Sequence, residues 1–342
     1  MKIVFVRESE VQELNPDIEK SKPLGATESC FIQLAQQLSF QHTVKVICPC
    51  KPNFYGKVEY IKLPNEQIIL DLHLSLFSPD IIIVVGNPRL LFTDSHLYKY
   101  KLIFWQQNHP LELIQYRIHE LVKSIPIVLP SEEAKVYCQN FYKSKNIYGI
   151  YNGIRDNFFN VIPNKIKNKI LYVGSLVRSK GFLELLKITK LLPQYDFNIC
   201  GSFDMYGYID ESYKKECMSI ASNNVTFLGG LNKDELAKQL SEAELCIVNP
   251  LVGNLETCCV SALESMAVGT PVIAGKHSII DAIIKHGGVS YSENLQEQIR
   301  YVLKNKVEID KEWVYQLSYK NIAKQWDDLL KLVCFGKTVS IS

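Results

Sequence analysis

Two glutamates eight residues apart are the side chains of this sequence whose placement most suggests chemistry. Glu256 follows an apolar run that ends in Asn249-Pro250, and Glu264 lies in a second run rich in apolar residues. The predicted order of strand, loop and helix puts Glu256 in the loop and Glu264 about two turns into the helix. Eight residues advance a helix by roughly 12 Å, so such a pair could hold the two ends of one elongated ligand.

The first turn of this predicted helix lies between the two glutamates. A helix N-terminus offers backbone N–H donors to an anion, and the groups around Cys258, Cys259 and Val260 take that place. A diphosphate would suit them, with a ribose and a sugar beside the two carboxylates. The same spacing is common on solvated helices, so the pair alone does not establish a site.

The surrounding segments resemble retaining glycosyltransferases of family 4, which have the GT-B fold. The region from Asn249 to Val272 is similar to the E-x7-E region of that family, and Leu171–Gly181 to its glycine–basic–Lys-Gly segment. Four further segments follow in the order that the family has. Leu24–Glu28 corresponds to its Gly-Gly-x-Glu loop, and Asn152-Gly153-Ile154 to the turn that closes its first domain. Asn198–Gly201 and Val225–Gly229 correspond to two strand ends. The resemblance covers nearly the whole chain.

The resemblance implies roles in the binding of a nucleoside diphosphate sugar. Lys180 would supply charge to the diphosphate, because departure of this group builds negative charge. Arg178 would substitute for the arginine that the family commonly has directly after the glycine, where this chain has Ser175. Glu264 would accept hydrogen bonds from the ribose. Glu256 would contact the donor sugar or stabilise charge at the reacting face, without a metal ion or cofactor.

Two candidate positions fall in the first half of the chain. Gly25 offers a backbone that a substrate can approach closely, just before a predicted helix at Glu28. His109 follows a predicted strand and would contact the sugar or the acceptor, as a histidine of the family does. Gln107 and Asn108 occupy the strict positions of the family's His-Asp motif, so all three remain candidates.

Strands and helices alternate along the whole chain, and the alternation restarts after Asn152-Gly153. The predicted strands are Ile3–Val6, Val44–Cys48, Asp80–Gly86, Lys101–Trp105 and Ile125–Leu129, then Ile170–Val173, Phe197–Cys200, Val225–Leu228, Leu245–Val248 and Pro271–Ala274. Two such sets predict an α/β fold of two doubly wound Rossmann-like domains facing a cleft.

The expected boundaries follow from this alternation. An acceptor-binding domain spans 1–155, and a domain for the nucleotide sugar spans 156–318. By resemblance, residues 319–342 form a helix and tail that return to the first domain. The polar, basic segment Asn164–Lys169 is interpreted as the interdomain linker.

Composition excludes several classes of protein. A net charge of +2 does not indicate a nucleic-acid-binding protein. No apolar stretch reaches the length of a membrane span. The start does not read as a signal peptide, so a cytoplasmic protein is expected. The ten cysteines lack metal-ligand spacing and are expected to be reduced, small apolar residues. The segment Ile68–Phe77 could be an amphipathic membrane helix, but a core helix is favoured.

These observations predict a metal-independent, retaining enzyme. It would transfer a sugar from a UDP- or GDP-sugar to a hydroxyl of a glycan or a lipid-linked saccharide, with peripheral contact at the inner membrane face as a further expectation. The alternatives are a nucleotide-sugar epimerase or hydrolase of the same fold, and a non-catalytic nucleotide-sugar binder. A nicotinamide dehydrogenase is disfavoured because no G-x-G-x-x-G follows the first strand.

Overall fold

The chain folds into two compact units, each built on a mainly parallel sheet. The computed structural model describes residues 1–8, 13–107, 121, 123–205, 208–249, 257–275, 279–291, 294–305 and 307–336. The first unit comprises Met1–Glu19, Leu24–Gly153 and Tyr319–Ser342, and the second comprises Lys20–Pro23 and Ile154–Ser318. The chain therefore leaves the first unit at Gly153 and re-enters it at Tyr319.

The first unit contains one sheet with the strand order β3-β4-β2-β1-β5-β6-β7-β8, in which only the β3–β4 pair is antiparallel. Its strands are β1 (Lys2–Val6), β2 (Thr43–Cys48), β3 (Asn53–Tyr55), β4 (Val58–Lys62), β5 (Ile81–Val85), β6 (Leu102–Trp105), β7 (Ile127–Leu129) and β8 (Ile147–Gly149). Its described helices are α1 (Pro16–Ser21), α2 (Ala26–Leu38), α3 (Gln67–Phe77), α4 (Arg89–Thr93) and α5 (Glu132–Tyr142), with a 3₁₀ turn at Ser95–Lys99. Every residue of β5 is buried, as expected of a parallel strand covered on both faces.

The second unit contains a six-stranded parallel sheet with the order β13-β10-β9-β14-β15-β16. Its strands are β9 (Lys169–Val173), β10 (Asp196–Cys200), β13 (Val225–Gly229), β14 (Leu245–Val248), β15 (Val272–Ala274) and β16 (Val289–Ser290), beside the hairpin β11 (Asp204–Met205) and β12 (Tyr208–Ile209). Its described helices are α6 (Asp156–Asn160), α7 (Phe182–Thr189), α8 (Glu211–Ile220), α9 (Lys233–Glu242), α10 (Val260–Val268), α11 (Ile280–Lys285), α12 (Leu295–Lys304) and α13 (Lys311–Gln316). This is the strand order 3-2-1-4-5-6 of dinucleotide-binding Rossmann folds.

The strands expected from the sequence are all present, with ends that differ by a residue or two. Six strands were not predicted from the sequence: β3, β8 and β16 at sheet edges, the two-residue strands β11 and β12 of the hairpin, and β4, which lies inside the first sheet. One interpretation was wrong: Asn164–Lys169 is not the crossing between the units. Within the second unit, the N–H groups of Asn164 and Ile166 donate to the carbonyls of Ser241 and Glu242.

The cysteines serve as small buried residues. All ten are buried free thiols. Burial raises the pKa of Cys200 to about 11 and that of Cys246 to about 12, so both stay protonated at neutral pH. Neither thiol is therefore a nucleophile or a redox group under ordinary conditions.

Helix α14 (Tyr319–Phe335) belongs to the first unit, which confirms the helix that returns to the first domain. Trp326 is fully buried, and its ring meets that of Trp105 edge to face, with 5.0 Å between the ring centres. Asp327 accepts a hydrogen bond from His42 at 3.0 Å, and the Lys101 ammonium donates to the Cys334 carbonyl. None of the described helices is both long and apolar enough to span a membrane.

We expect Trp326→Ala to lower the free energy of unfolding of the first unit by about 3–5 kcal/mol, because it leaves a cavity beside Trp105. Urea denaturation followed by circular dichroism measures the change. Lys320→Ala is the matched control, since Lys320 is an exposed residue of the same helix, and it should change the free energy by less than about 0.5 kcal/mol. Equal effects of the two substitutions would contradict a packing role for α14.

Candidate functional site

The carboxyl ends of β9 and β14 mark the point where the strand order of the second sheet reverses. Strand β9 pairs with β10 on one side and with β14 on the other. The chain adds β10 and β13 on the first side and then β14, β15 and β16 on the second. Ligands of doubly wound sheets bind in the crevice that such a reversal opens. The loops that begin at Gly174 and Asn249 therefore form the candidate site.

The strand ends at this edge pack too closely to admit larger side chains. A Cβ atom on Gly201, after β10, would lie 1.9 Å from the carbonyl oxygen of Gly174. Asn249, directly after β14, is buried and has a φ of +45°, a conformation that few residues other than glycine adopt. If Gly174 carried a Cβ atom, that atom would lie 3.2 Å from Asn249 Oδ1, which is a tight contact. Strained backbone of this kind clusters at ligand sites.

We expect Gly201→Ala to lower the free energy of unfolding by about 1–3 kcal/mol, because its methyl group would force the ends of β9 and β10 apart. Since the loop after β9 would move with Gly174, nucleotide affinity should fall as well. Urea denaturation and titration calorimetry with UDP measure the two effects. Ser219→Ala, an exposed substitution on α8, is the control. A Gly201→Ala protein with wild-type stability would show that the edge can relax.

The loop after β9 carries the two basic residues that the sequence analysis singled out. A 3₁₀ turn spans Arg178–Lys180, and Gly181, with a φ of +71°, leads into α7. The Arg178 guanidinium donates to Glu216 of α8 at 2.8 Å and lies 4.6 Å from the ring centre of Tyr213. Arg178 therefore has acidic and aromatic partners on α8. Lys180 is half-buried.

Helix α10 begins at the second loop. Cys258, Cys259 and Val260 are buried, and Cys259 is the N-cap residue. The Val260 N–H donates to the Cys258 carbonyl at 2.7 Å in a tight turn. One of the N–H groups predicted to bind an anion therefore already has a hydrogen-bond partner. Glu256 lies outside the described residues, so its distance from Glu264 stays a prediction.

Glu264 is held by Lys233, a residue that was not predicted to belong to the site. The carboxylate is 2 % exposed, and its Oε1 accepts a hydrogen bond from the Lys233 Nζ at 2.5 Å. The ammonium also lies 5.8 Å from the ring centre of Phe158. A carboxylate buried to this degree needs a charged partner, because desolvation of an isolated charge is costly.

The position of Lys233 is set by the start of α9. The N-cap Asn232 and Glu235 form a capping box, so Lys233 is the first residue of the helix. The helix follows β13 directly, which brings its N-terminus to the carboxyl edge of the sheet. The Asn-x-x-Glu signature was visible in the sequence and could have placed a lysine at this edge.

The first unit has a corresponding reversal between β1 and β5. Arg7, directly after β1, donates to the Glu28 carboxylate at 2.5 Å and to the Val85 carbonyl at 3.1 Å. A Cβ on Gly86, whose φ is +77°, would lie 2.1 Å from Arg7 Nη1. This buried ion pair was not predicted from the sequence.

Gly25, the candidate of the first unit, is exposed and is the N-cap residue of α2. Its φ of −59° and ψ of 156° are open to any residue, so the local conformation does not require glycine. Its role in binding stays a prediction.

The three candidates for the family's histidine position fall after β6. Gln107 is buried, and its side-chain amide exchanges two hydrogen bonds with that of Asn152, at 2.9 and 3.1 Å. The amide therefore ties the end of β6 to the turn at Asn152-Gly153. Asn108 and His109 lie outside the described residues.

Comparison with known proteins finds similarity to glycosyltransferases. Residues 154–318 match the model of a family described as glycosyl transferases group 1. A glycosyltransferase of Methanocaldococcus jannaschii is 33 % identical over 121 residues, which are 34 % of this chain and 29 % of that protein. The lipopolysaccharide 1,2-N-acetylglucosaminetransferase of Salmonella typhimurium is 22 % identical over 306 residues, covering 79 % of this chain and 77 % of that one. The chain thus spans under a third of the first relative and about three quarters of the second.

Solved structures show the same fold over nearly the whole chain. Sucrose-phosphate synthase from Thermosynechococcus elongatus superimposes with a TM-score of 0.79 at 16 % identity, covering 98 % of this chain and 100 % of that one. The HepE protein of Anabaena, in complex with UDP and glucose, has a TM-score of 0.71 at 17 % identity, covering 97 % and 99 %. The fold is therefore GT-B, and the sequence relatives named above are glycosyltransferases.

Proposed function

We propose that this chain is a retaining glycosyltransferase that moves a sugar from a UDP-sugar to a hydroxyl group of a glycan or a lipid-linked saccharide. The observation that carries the proposal is the buried Glu264 carboxylate, held by Lys233 at the carboxyl edge of a Rossmann sheet. It lies within the segment that matches the glycosyl transferases group 1 model.

In this proposal Glu264 binds the ribose of the donor. A carboxylate is an acceptor only, and its two oxygens suit the two hydroxyls of a ribose. The hydrogen bond from Lys233 fixes the orientation of the carboxylate before the ligand arrives. Because the group is already desolvated, a hydroxyl that donates to it forms a charge-assisted bond in a dry environment.

The diphosphate is assigned to Lys180 and to the N-terminus of α10. These groups follow β9 and β14, the two strands on either side of the reversal. As the bond to the sugar breaks, negative charge develops on the leaving phosphate. A fixed ammonium and the positive end of a helix stabilise that charge without a metal ion.

Glu256 and His109 are assigned to the sugar end of the donor. Glu256 would contact the sugar or stabilise positive charge on the reacting carbon, and His109 would contact the sugar or the acceptor. Both assignments rest on the family resemblance. Gln107 becomes the weaker alternative to His109, because its amide is bonded to Asn152.

UDP is preferred to GDP as the nucleotide on the basis of relatives. The Anabaena HepE structure contains UDP and glucose. The name of the Salmonella relative describes transfer of N-acetylglucosamine in lipopolysaccharide, which favours a surface glycan or its lipid-linked precursor as acceptor.

A nucleotide panel tests the proposal. The melting temperature should rise with UDP more than with GDP or ADP, because a ligand that binds only the native state stabilises it. Incubation with UDP-glucose or UDP-N-acetylglucosamine and saccharide acceptors should give a product whose anomeric proton, followed by NMR, keeps the donor configuration.

Other results of these two experiments would favour a different function. Stabilisation by UDP without any turnover would favour a non-catalytic binder. Release or epimerisation of the sugar without an acceptor would favour a hydrolase or an epimerase. A protein that no nucleoside diphosphate stabilises would contradict the assignment of the site.

A further inference from the structure

Helix α3 of the first unit is apolar on the face that points away from the core. Leu70 and Leu74 are buried, and Phe77 packs against the same core. On the other side, Ile68, Leu72 and Leu76 are 75 %, 57 % and 77 % exposed. Residues four apart form one stripe along a helix. Helix α3 therefore packs against the core, as the sequence favoured, but it also exposes an apolar stripe on its outer face.

A cavity beside this stripe is rich in positive charge. Its volume is about 710 Å³, and Leu76 lies on its wall. Three lysines line it, Lys2, Lys45 and Lys62, and the single acidic residue in the lining is Glu59. Glu59 forms an ion pair with Lys45 at 2.8 Å, which leaves the charge of the lining positive.

Two of these lysines, Lys2 and Lys45, contact Phe77 at the end of the helix. The Lys45 ammonium lies 4.5 Å from the centre of the Phe77 ring, and the Lys2 ammonium lies 5.5 Å from it. Lys2 also donates to the Phe77 carbonyl at 3.0 Å. Phe54, which is 66 % exposed, lines the same cavity and extends the apolar surface to strand β3.

We propose that the outer stripe of α3 and the adjoining lysine cavity dock the enzyme on an anionic lipid surface. Ile68, Leu72 and Leu76 would enter the boundary between headgroups and acyl chains, where an amphipathic helix lies parallel to the surface. The cavity would receive a lipid phosphate. At 11 residues α3 is too short to span a bilayer, which takes about 20, so it lies on the surface.

Charge favours a lipid surface over a second copy of the chain. A twofold dimer through this face would bring the lysines of both copies into one interface, where like charges oppose association. Anionic headgroups instead complement the lysines, because each lysine near such a surface adds electrostatic attraction. The proposal concerns a different surface from the nucleotide site and does not depend on the proposed function.

Vesicle sedimentation tests the proposal. The wild-type chain should sediment with vesicles that contain phosphatidylglycerol and stay in solution with phosphatidylcholine alone. The triple variant Ile68→Gln/Leu72→Gln/Leu76→Gln should bind anionic vesicles at least about tenfold more weakly, because it removes the apolar surface that would be buried among the lipids. Glutamine keeps the helix, since its helix propensity is high.

Two matched controls distinguish binding through this surface from nonspecific binding of the protein to vesicles. The triple variant Leu191→Gln/Met218→Gln/Ile284→Gln removes similarly exposed apolar side chains from the second unit and should bind like the wild type. Lys62→Glu should weaken binding to anionic vesicles by about fivefold or more, whereas Lys285→Glu in the second unit should not. Melting temperatures check that each variant is folded.

Three results would overturn the proposal. The first is a wild-type chain that does not bind anionic vesicles. The second is a loss of binding that is equal in the α3 variant and its second-unit control. The third is a wild-type dimer, seen by sedimentation velocity without lipid, that the α3 variant dissociates, because the stripe would then belong to a second copy.

Discussion

Lys233→Met is expected to lower the free energy of unfolding of the second unit by about 3–5 kcal/mol, because it leaves the Glu264 carboxylate buried without its ammonium partner. Glu264→Gln should cost less, since Lys233 is more exposed than Glu264 and can turn toward water. The double variant Glu264→Gln/Lys233→Met should be more stable than Lys233→Met alone. Urea denaturation of the four proteins gives the coupling energy of the pair.

The same variants separate stability from ligand binding. If Glu264 binds the ribose, Glu264→Gln and the double variant should both bind UDP at least about tenfold more weakly, a loss of about 1.4 kcal/mol. Inorganic pyrophosphate has no ribose, so its affinity should change little. Titration calorimetry with both ligands decides the matter. Wild-type UDP affinity in folded Glu264→Gln would restrict this carboxylate to a structural role.

Lys180→Ala is expected to lower kcat/KM for transfer by about 10²–10³-fold, which corresponds to roughly 2.7–4 kcal/mol of transition-state stabilisation. The reason is the loss of a positive charge where the leaving diphosphate forms. Arg178→Ala should have a much smaller effect, because its guanidinium is bound to Glu216 and stacked on Tyr213. Initial rates with a UDP-sugar and acceptor measure both.

A surface lysine provides the control for this comparison. Lys190→Ala, just after α7, removes the same charge from the same unit outside the loop and should leave kcat/KM unchanged. If Arg178→Ala proved as damaging as Lys180→Ala, Arg178 would have to leave Glu216 when the donor binds and take the role of the family arginine. Full activity in Lys180→Ala would contradict the diphosphate assignment.

The architecture was predictable because its signals are local. The run Ile81–Val85 is apolar throughout, and such a strand is buried on both faces of a parallel sheet. Strand β4 was missed although its burial alternates and it is as long as β5. Its sequence mixes charged and apolar residues, so it lacks the continuous apolar run that marks β5. The missed strands β3, β8 and β16 are edge strands, which have one partner fewer and are only three, three and two residues long.

The site was predictable only in part, because its ion pairs join distant residues. Glu264 and Lys233 are 31 positions apart, and Arg7 and Glu28 are 21 apart. No periodicity relates such residues, and only the assembled sheet brings them to one edge. The outer face of α3 illustrates the same limit, because a helix with apolar residues on two sides does not reveal which side the core covers.

The return of α14 to the first unit has a consequence for the order of events during synthesis. Apart from Lys20–Pro23, the second unit is continuous in sequence from Ile154 to Ser318, whereas the first unit needs α14, which is made afterwards. Domains made on the ribosome fold as units once their residues have emerged. The second unit can therefore complete its sheet while the first still lacks Trp326 against Trp105. The first unit therefore begins to be translated before the second but can complete its core only after α14 has been made.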